Sequence, residues 1–94
     1  TSAANHVIFY HIADSKEVIR LNASGQEIKT RLYTFRLHVI NRKLGDSKSI
    51  ENLLIQDVNY RLKLVWEDEN SVSYKLGNGE KYTVDLLKYV PELF

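Results

Sequence analysis

The sequence predicts a mainly β domain, with α+β as the near variant. The expected architecture is about six antiparallel strands in a small sandwich or partly open barrel. One short helix falls near residues 49–58, and a three-stranded meander closes the chain. Two observations carry this. First, from residue 60 to residue 87 apolar side chains recur in steps of two: Tyr60, Leu62, Leu64 and Trp66, then Val72, Tyr74 and Leu76, then Tyr82, Val84 and Leu86. Arg61, Lys63, Glu67, Ser71, Ser73, Lys75, Lys81, Thr83 and Asp85 occupy alternate positions, as in strands with one buried and one wet face. Second, short turn-rich gaps separate the three runs, which makes them neighbours in an antiparallel meander.

The same pattern sets the registers, because a slip of one residue moves a whole apolar set to solvent. A two-residue loop at Asn78 and Gly79 would place Leu76 opposite Lys81 and mix the faces. A three-residue loop of Gly77, Asn78 and Gly79 places Tyr74 opposite Tyr82 and Val72 opposite Val84, with Gly79 in the left-handed conformation. By the same parity, Asp68, Glu69 and Asn70 form the other loop. Trp66 then faces Val72, Leu64 faces Tyr74, and Asn70 takes the left-handed position.

Earlier in the chain, residues 6–13 (HVIFYHIA) are apolar on both alternating sets, as in a strand covered on both sides, and Asp14, Ser15 and Lys16 close the run. Asn22, Ala23, Ser24 and Gly25 turn a second hairpin. An even-length loop is expected there, because an odd one would set Ile28 against Arg20. Residues 31–42 form the longest strand, with Tyr33, Phe35, Leu37 and Val39 on one face. Ile28 and Leu32 are out of phase with that set, so a bulge or break is expected near residues 31–33. Residues 43–49 (KLGDSKS) offer Asp46, Ser47 or Ser49 as a helix cap. Ile50, Leu53, Leu54 and Val58 then follow at helical spacing. At the C-terminus Pro91 stops any helical turn, and Leu93 and Phe94 fold back on the core.

Ninety-four residues with 44% hydrophobic content and a single proline describe one ordered domain, here residues 6–94. A formal charge of +1, with both signs interspersed, supplies no bulk field for nucleic acid or an anionic membrane. No apolar run approaches the roughly eighteen residues of a membrane span. Cysteine is absent, so disulfides and thiolate chemistry are excluded. Methionine is absent too, and the chain reads as a processed mature form or an excised domain. Thr1, Ser2, Ala3, Ala4 and Asn5 are then a tether, a cleavage remnant or a cloning scar. Asn22, Ala23 and Ser24 match the glycosylation acceptor triplet.

Catalytic chemistry finds little support. His6 and His11 are five apart in one strand and point to opposite faces, while His38 shares a polar face with Thr34 and Arg36. No HxH or HExxH spacing accompanies them, so surface or strand-end histidines are expected. Ser15, Ser24, Ser47 and Ser49 lie in turn-forming stretches, and nothing resembles a nucleophile elbow. Glu67, Asp68 and Glu69 lack the alternating ligands of a calcium loop. Gly77, Asn78 and Gly79 precede no helix that could hold a phosphate. No cofactor is implied.

Residues 60–86 (YRLKLVWEDENSVSYKLGNGEKYTVDL) resemble the closing meander of small all-β domains on Gram-positive envelope lipoproteins. The resemblance covers under a third of the chain, includes no catalytic or binding motif, and implies an extracytoplasmic or cell-surface location. The function expected is a non-enzymatic interaction domain that binds a protein or an anionic envelope polymer. The registers place Lys63, Lys75 and Lys81 abreast on the polar face with Arg61 diagonal, and these four are the candidate contact residues. The alternative is an oligonucleotide-binding barrel, in which Tyr60, Trp66 and Tyr74 would be exposed for base stacking.

Overall fold

A computed structural model describes residues 2, 3 and 5–94. Seven strands follow one another: β1 (Ser2–Ala3), β2 (His6–Leu21), β3 (Glu27–Asn41), β4 (Asp46–Asp57), β5 (Leu64–Trp66), β6 (Ser71–Lys75) and β7 (Lys81–Asp85). A one-turn helix α1 (Leu86–Tyr89) and a 3₁₀ turn (Pro91–Leu93) end the chain. β1 to β4 form one antiparallel sheet in chain order, and β5 to β7 form a second. No ladder joins the two sheets among the described residues, and there is no closed barrel. The expectation of a tether at residues 1–5 falls partly on residues 1 and 4, outside the described set. Ser2 and Ala3 pair with Val7 and His6. Among the described residues no helix is long and apolar enough to cross a membrane.

The meander forms as its alternation requires. Leu64 pairs with Tyr74, Trp66 with Val72, Tyr74 with Tyr82 and Val72 with Val84. Gly79 closes the second turn at φ +89°, its N–H donating to the Leu76 carbonyl at 3.0 Å. The first turn departs from expectation, since no non-glycine residue among those described has positive φ and Asn70 is not left-handed. Its side chains do the closing instead. The Asp68 carboxylate accepts the Asn70 N–H at 2.8 Å, an Asx turn that needs no left-handed residue. The Asn70 carbonyl in turn accepts the N–H of Leu86, the first residue of α1.

The larger sheet is built differently from expectation in four places. The predicted helix over residues 49–58 is the strand β4, joined to β3 by a turn in which Asn41 pairs with Asp46. Asp46, Ser47 and Ser49 therefore cap nothing. Asn41 Oδ1 instead accepts the N–H groups of Lys43 and Leu44, each at 3.0 Å. The helical spacing marks no buried face, since Leu54 and Val58 are exposed and Leu53 is only partly buried, and a bulge places the core residues instead. Leu37 pairs with Ile50 and Phe35 with Ile55, so two steps on β3 match five on β4. The three extra residues let Ile50 and Ile55 both reach the core while Leu54 stays in solvent.

The second difference is the 22–25 hairpin, which uses the odd register and sets Ile28 against Arg20. Ile19, Leu21 and Ile28 are all exposed there, so no buried face enforces parity. Turn chemistry decides: Asn22 Oδ1 accepts from Ser24 and Gln26 N–H, and Gly25 sits at φ +79°. Third, β3 runs unbroken through residues 31–33, because Ile28 never enters the core. The irregularity lies at Ala13 on β2, which itself continues through Asp14, Ser15 and Lys16. Fourth, β2 is not covered on both sides. Ile8 is fully buried, whereas Phe9, on the opposite face, is exposed because no described element covers that side of the sheet.

The two sheets share one core, centred on Ile8, Phe35, Leu37, Val39, Ile50 and Ile55 from the first and on Leu64, Val72, Tyr74 and Val84 from the second. Leu86, Val90 and Leu93 join it from the C-terminal turns, as the apolar tail predicts. Sixteen residues of β2 at about 3.3 Å each span about 53 Å, which matches the 54 Å long axis of the molecule. The β2–β3 ribbon therefore sets the length of the molecule, and its tip around residues 17–30 is mostly exposed.

Candidate functional site

The outward face of the meander carries the candidate cations. β6 and β7 place Lys75 directly opposite Lys81. Lys63 lies one residue before β5 and borders the same surface as this pair. They border a shallow depression of about 250 Å³ lined by Lys63, Val65, Glu67, Ser73, Tyr74, Lys75 and Lys81. Its floor is Ser73, a small residue that is buried although it points outward.

The charges in this row are unequal. Glu67 accepts Lys81 Nζ at 2.9 Å and Ser73 Oγ at 2.5 Å. The Ser73 hydroxyl, and after it Lys81, hold the Glu67 carboxyl below its ordinary range. Lys81 is thus matched by a carboxylate on its own face. Lys63 and Lys75 have no ion pair among the described residues, and they are the free cations of the face. Arg61 stands apart. Its guanidinium lies 5.4 Å from the centroid of the Tyr60 ring, and it does not line the depression.

The aromatic residues divide. Tyr74 is buried and packs on Tyr82 with ring centroids 5.4 Å apart, Trp66 is half-buried against the core, and Tyr60 is exposed. Burial raises the Tyr74 hydroxyl above its usual pKa, with Tyr89 adding to the effect. The acidic tip is a turn rather than a ligand set, since Glu67 serves Ser73 and Lys81 while Asp68 serves Asn70. The Asn70 N–H is the main cause of a lowered Asp68 pKa.

The histidines are arranged less simply than their spacing suggests. His6 is held at the core margin by the C-terminal turn. His11 and His38 meet on the outer face of the large sheet, Nδ1 of the first 2.5 Å from Nε2 of the second. They are diagonal neighbours, since His11 pairs with Arg36 and His38 with Phe9. The Phe9 ring stacks on His38 at 4.9 Å. Burial lowers the His38 pKa, and the charges of His11 and Arg36 lower it further. The contact was invisible in the sequence because it depends on the β2–β3 register. No group of three or more His, Cys, Asp or Glu side chains is placed to hold a metal among the described residues. No family model, no curated protein and no solved structure matches this chain.

Proposed function

We propose that this domain is a non-catalytic binding module whose contact surface is the outward face of the β5–β7 meander, and that it takes an acidic partner. One observation carries the reading: Lys63 and Lys75 border the depression without a carboxylate, while Lys81 beside them has one. Like charges on facing strands cost a few tenths of a kcal/mol per pair. An anionic group seated between Lys63 and Lys75 removes that cost, and exposed Val65 adds apolar contact. An exported or surface-attached parent protein belongs to the same proposal, with an envelope polymer as one form of the partner.

The test is titration of the domain with a decaglutamate peptide and with a poly(glycerol phosphate). Binding that weakens as salt rises, and weakens further in Lys63→Glu/Lys75→Glu, supports the reading. Stronger binding of the phosphate polymer favours the envelope. No binding of either probe at low salt, or unchanged affinity in the double variant, removes the proposal. The oligonucleotide-binding alternative is weaker, because Tyr74 is buried and Trp66 half-buried, leaving Tyr60 as the exposed member of its stacking set.

A further inference from the structure

His11 and His38 turn two ring nitrogens towards each other on a face that the proposed acidic contact does not use. Two neutral imidazoles at 2.5 Å need a proton on one nitrogen and a lone pair on the other. Two protonated rings would repel, so the contact favours a state in which at least one nitrogen has a lone pair to give. The same convergence suits a metal ion. Nitrogens each about 2.0–2.1 Å from one ion lie about 2.9 Å apart when they subtend a right angle, and about 3.4 Å apart at the tetrahedral angle. The observed separation is nearer the first. Rotation of about 0.4 Å at an exposed side chain reaches it, whereas a tetrahedral site needs about twice that movement.

We propose that His11 and His38 form a two-imidazole site for a divalent transition metal, with square-planar or octahedral ions of the copper and nickel class preferred to zinc. Imidazole suits these ions, and the general order of divalent affinities places copper highest. The scaffold supports the role. Both ligands stand on adjacent strands and are themselves within the paired ladder, and the stacked Phe9 ring restrains His38. Arg36, paired with His11, is the nearby cation that opposes a dication and so limits affinity. No third protein ligand joins the pair among the described residues, so water completes the coordination shell.

The experiment uses untagged domain at pH 7.5. Cu²⁺, Ni²⁺ and Zn²⁺ are titrated separately by calorimetry, and thermal melts are recorded with metal and with chelator. One equivalent of Cu²⁺ or Ni²⁺ should bind more tightly than Zn²⁺ and raise the melting temperature. His11→Ala and His38→Ala should each weaken binding by at least the roughly 10–100-fold seen when even an outer-shell partner is lost. Their melts in chelator separate loss of the site from loss of the fold. Acidification to pH 5.5 should release the metal. The proposal is overturned if millimolar metal does not bind, if zinc binds tightest, or if either variant keeps wild-type affinity.

Discussion

His6 donates from Nε2 to the carbonyl of Leu93 at 2.7 Å, a contact that spans 87 positions and ties the start of β2 to the last turn of the chain. The bond specifies the Nε2–H tautomer. Phe94 stacks on the same imidazole with ring centroids 4.0 Å apart. Asn41 Nδ2 donates to the same carbonyl at 2.7 Å, so the tail is held by two donors from neighbouring strands.

Asn41 serves two structures at once, since its Oδ1 also accepts the Lys43 and Leu44 N–H groups of the turn. Asn41→Ala leaves those groups and half of the Leu93 contact unmet in a buried place. A loss of about 1–3 kcal/mol is expected from urea unfolding, the cost of unsatisfied buried groups. A cost below about 0.5 kcal/mol would mean that water replaces the side chain without penalty.

Gly79→Ala should destabilise by about 1 kcal/mol or more, the penalty for a Cβ in the left-handed region. The position is open, with nothing within 4 Å of an added Cβ, so the effect isolates backbone conformation from packing. Gly77 offers a contrast, because a Cβ there meets Asp57 Oδ1 at 3.2 Å without positive φ. A neutral Gly79→Ala would argue for a different turn.

Trp66 packs against the core but its Nε1 is buried with no hydrogen-bond partner. Truncation to Ala should cost near the lower end of the about 3–5 kcal/mol typical of a large core aromatic. Trp66→Phe should be far milder, because it removes an unpaired N–H whose burial costs about 1–3 kcal/mol. Equal losses for the two variants would indicate that the indole N–H is hydrogen-bonded after all.

Stability should respond to pH in two stages, measured in chelator. His38 has a folded pKa below its ordinary 6.5, so the unfolded chain binds its proton first on acidification. Stability therefore falls as pH drops from about 6.5 towards the lower folded value, and His38→Gln should flatten that part of the curve. Glu67, held low chiefly by Ser73, and Glu92, held low chiefly by Lys48, act in the second stage. Their stabilisation is present above their ordinary 4.5 and is lost as pH falls through the folded values. A curve for His38→Gln that parallels wild type between pH 6.5 and 5 would refute the first stage.

Lys75→Glu should stabilise the isolated domain by a few tenths of a kcal/mol, since Lys81 stands directly opposite it on β7 and Lys63 borders the same depression. Chemical denaturation at low salt is the measurement. Loss of stability would mean that these side chains splay far enough into water to ignore each other.

The sequence by itself determined the meander. Leu64, Val72, Tyr74 and Val84 must share a face, and that demand sets every pairing and selects the three-residue turn at Gly79. It likewise determined the mainly antiparallel fold, the facing of Lys75 and Lys81 and the return of Leu93 to the core. Parity works only where one face is buried, and that is where reading from sequence stopped. At the exposed hairpin tip Asn22 and Gly25 chose the register that parity disfavoured. Along β4 and one residue beyond it, Ile50, Leu53, Leu54 and Val58 stand at helical spacing, but it is the bulge against β3 that brings Ile50 and Ile55 to one buried face. Tertiary structure selected Glu67 as the partner of Lys81, and it alone joined His11 to His38. Each contact depends on where separate strands are set side by side, and local periodicity carries no record of that.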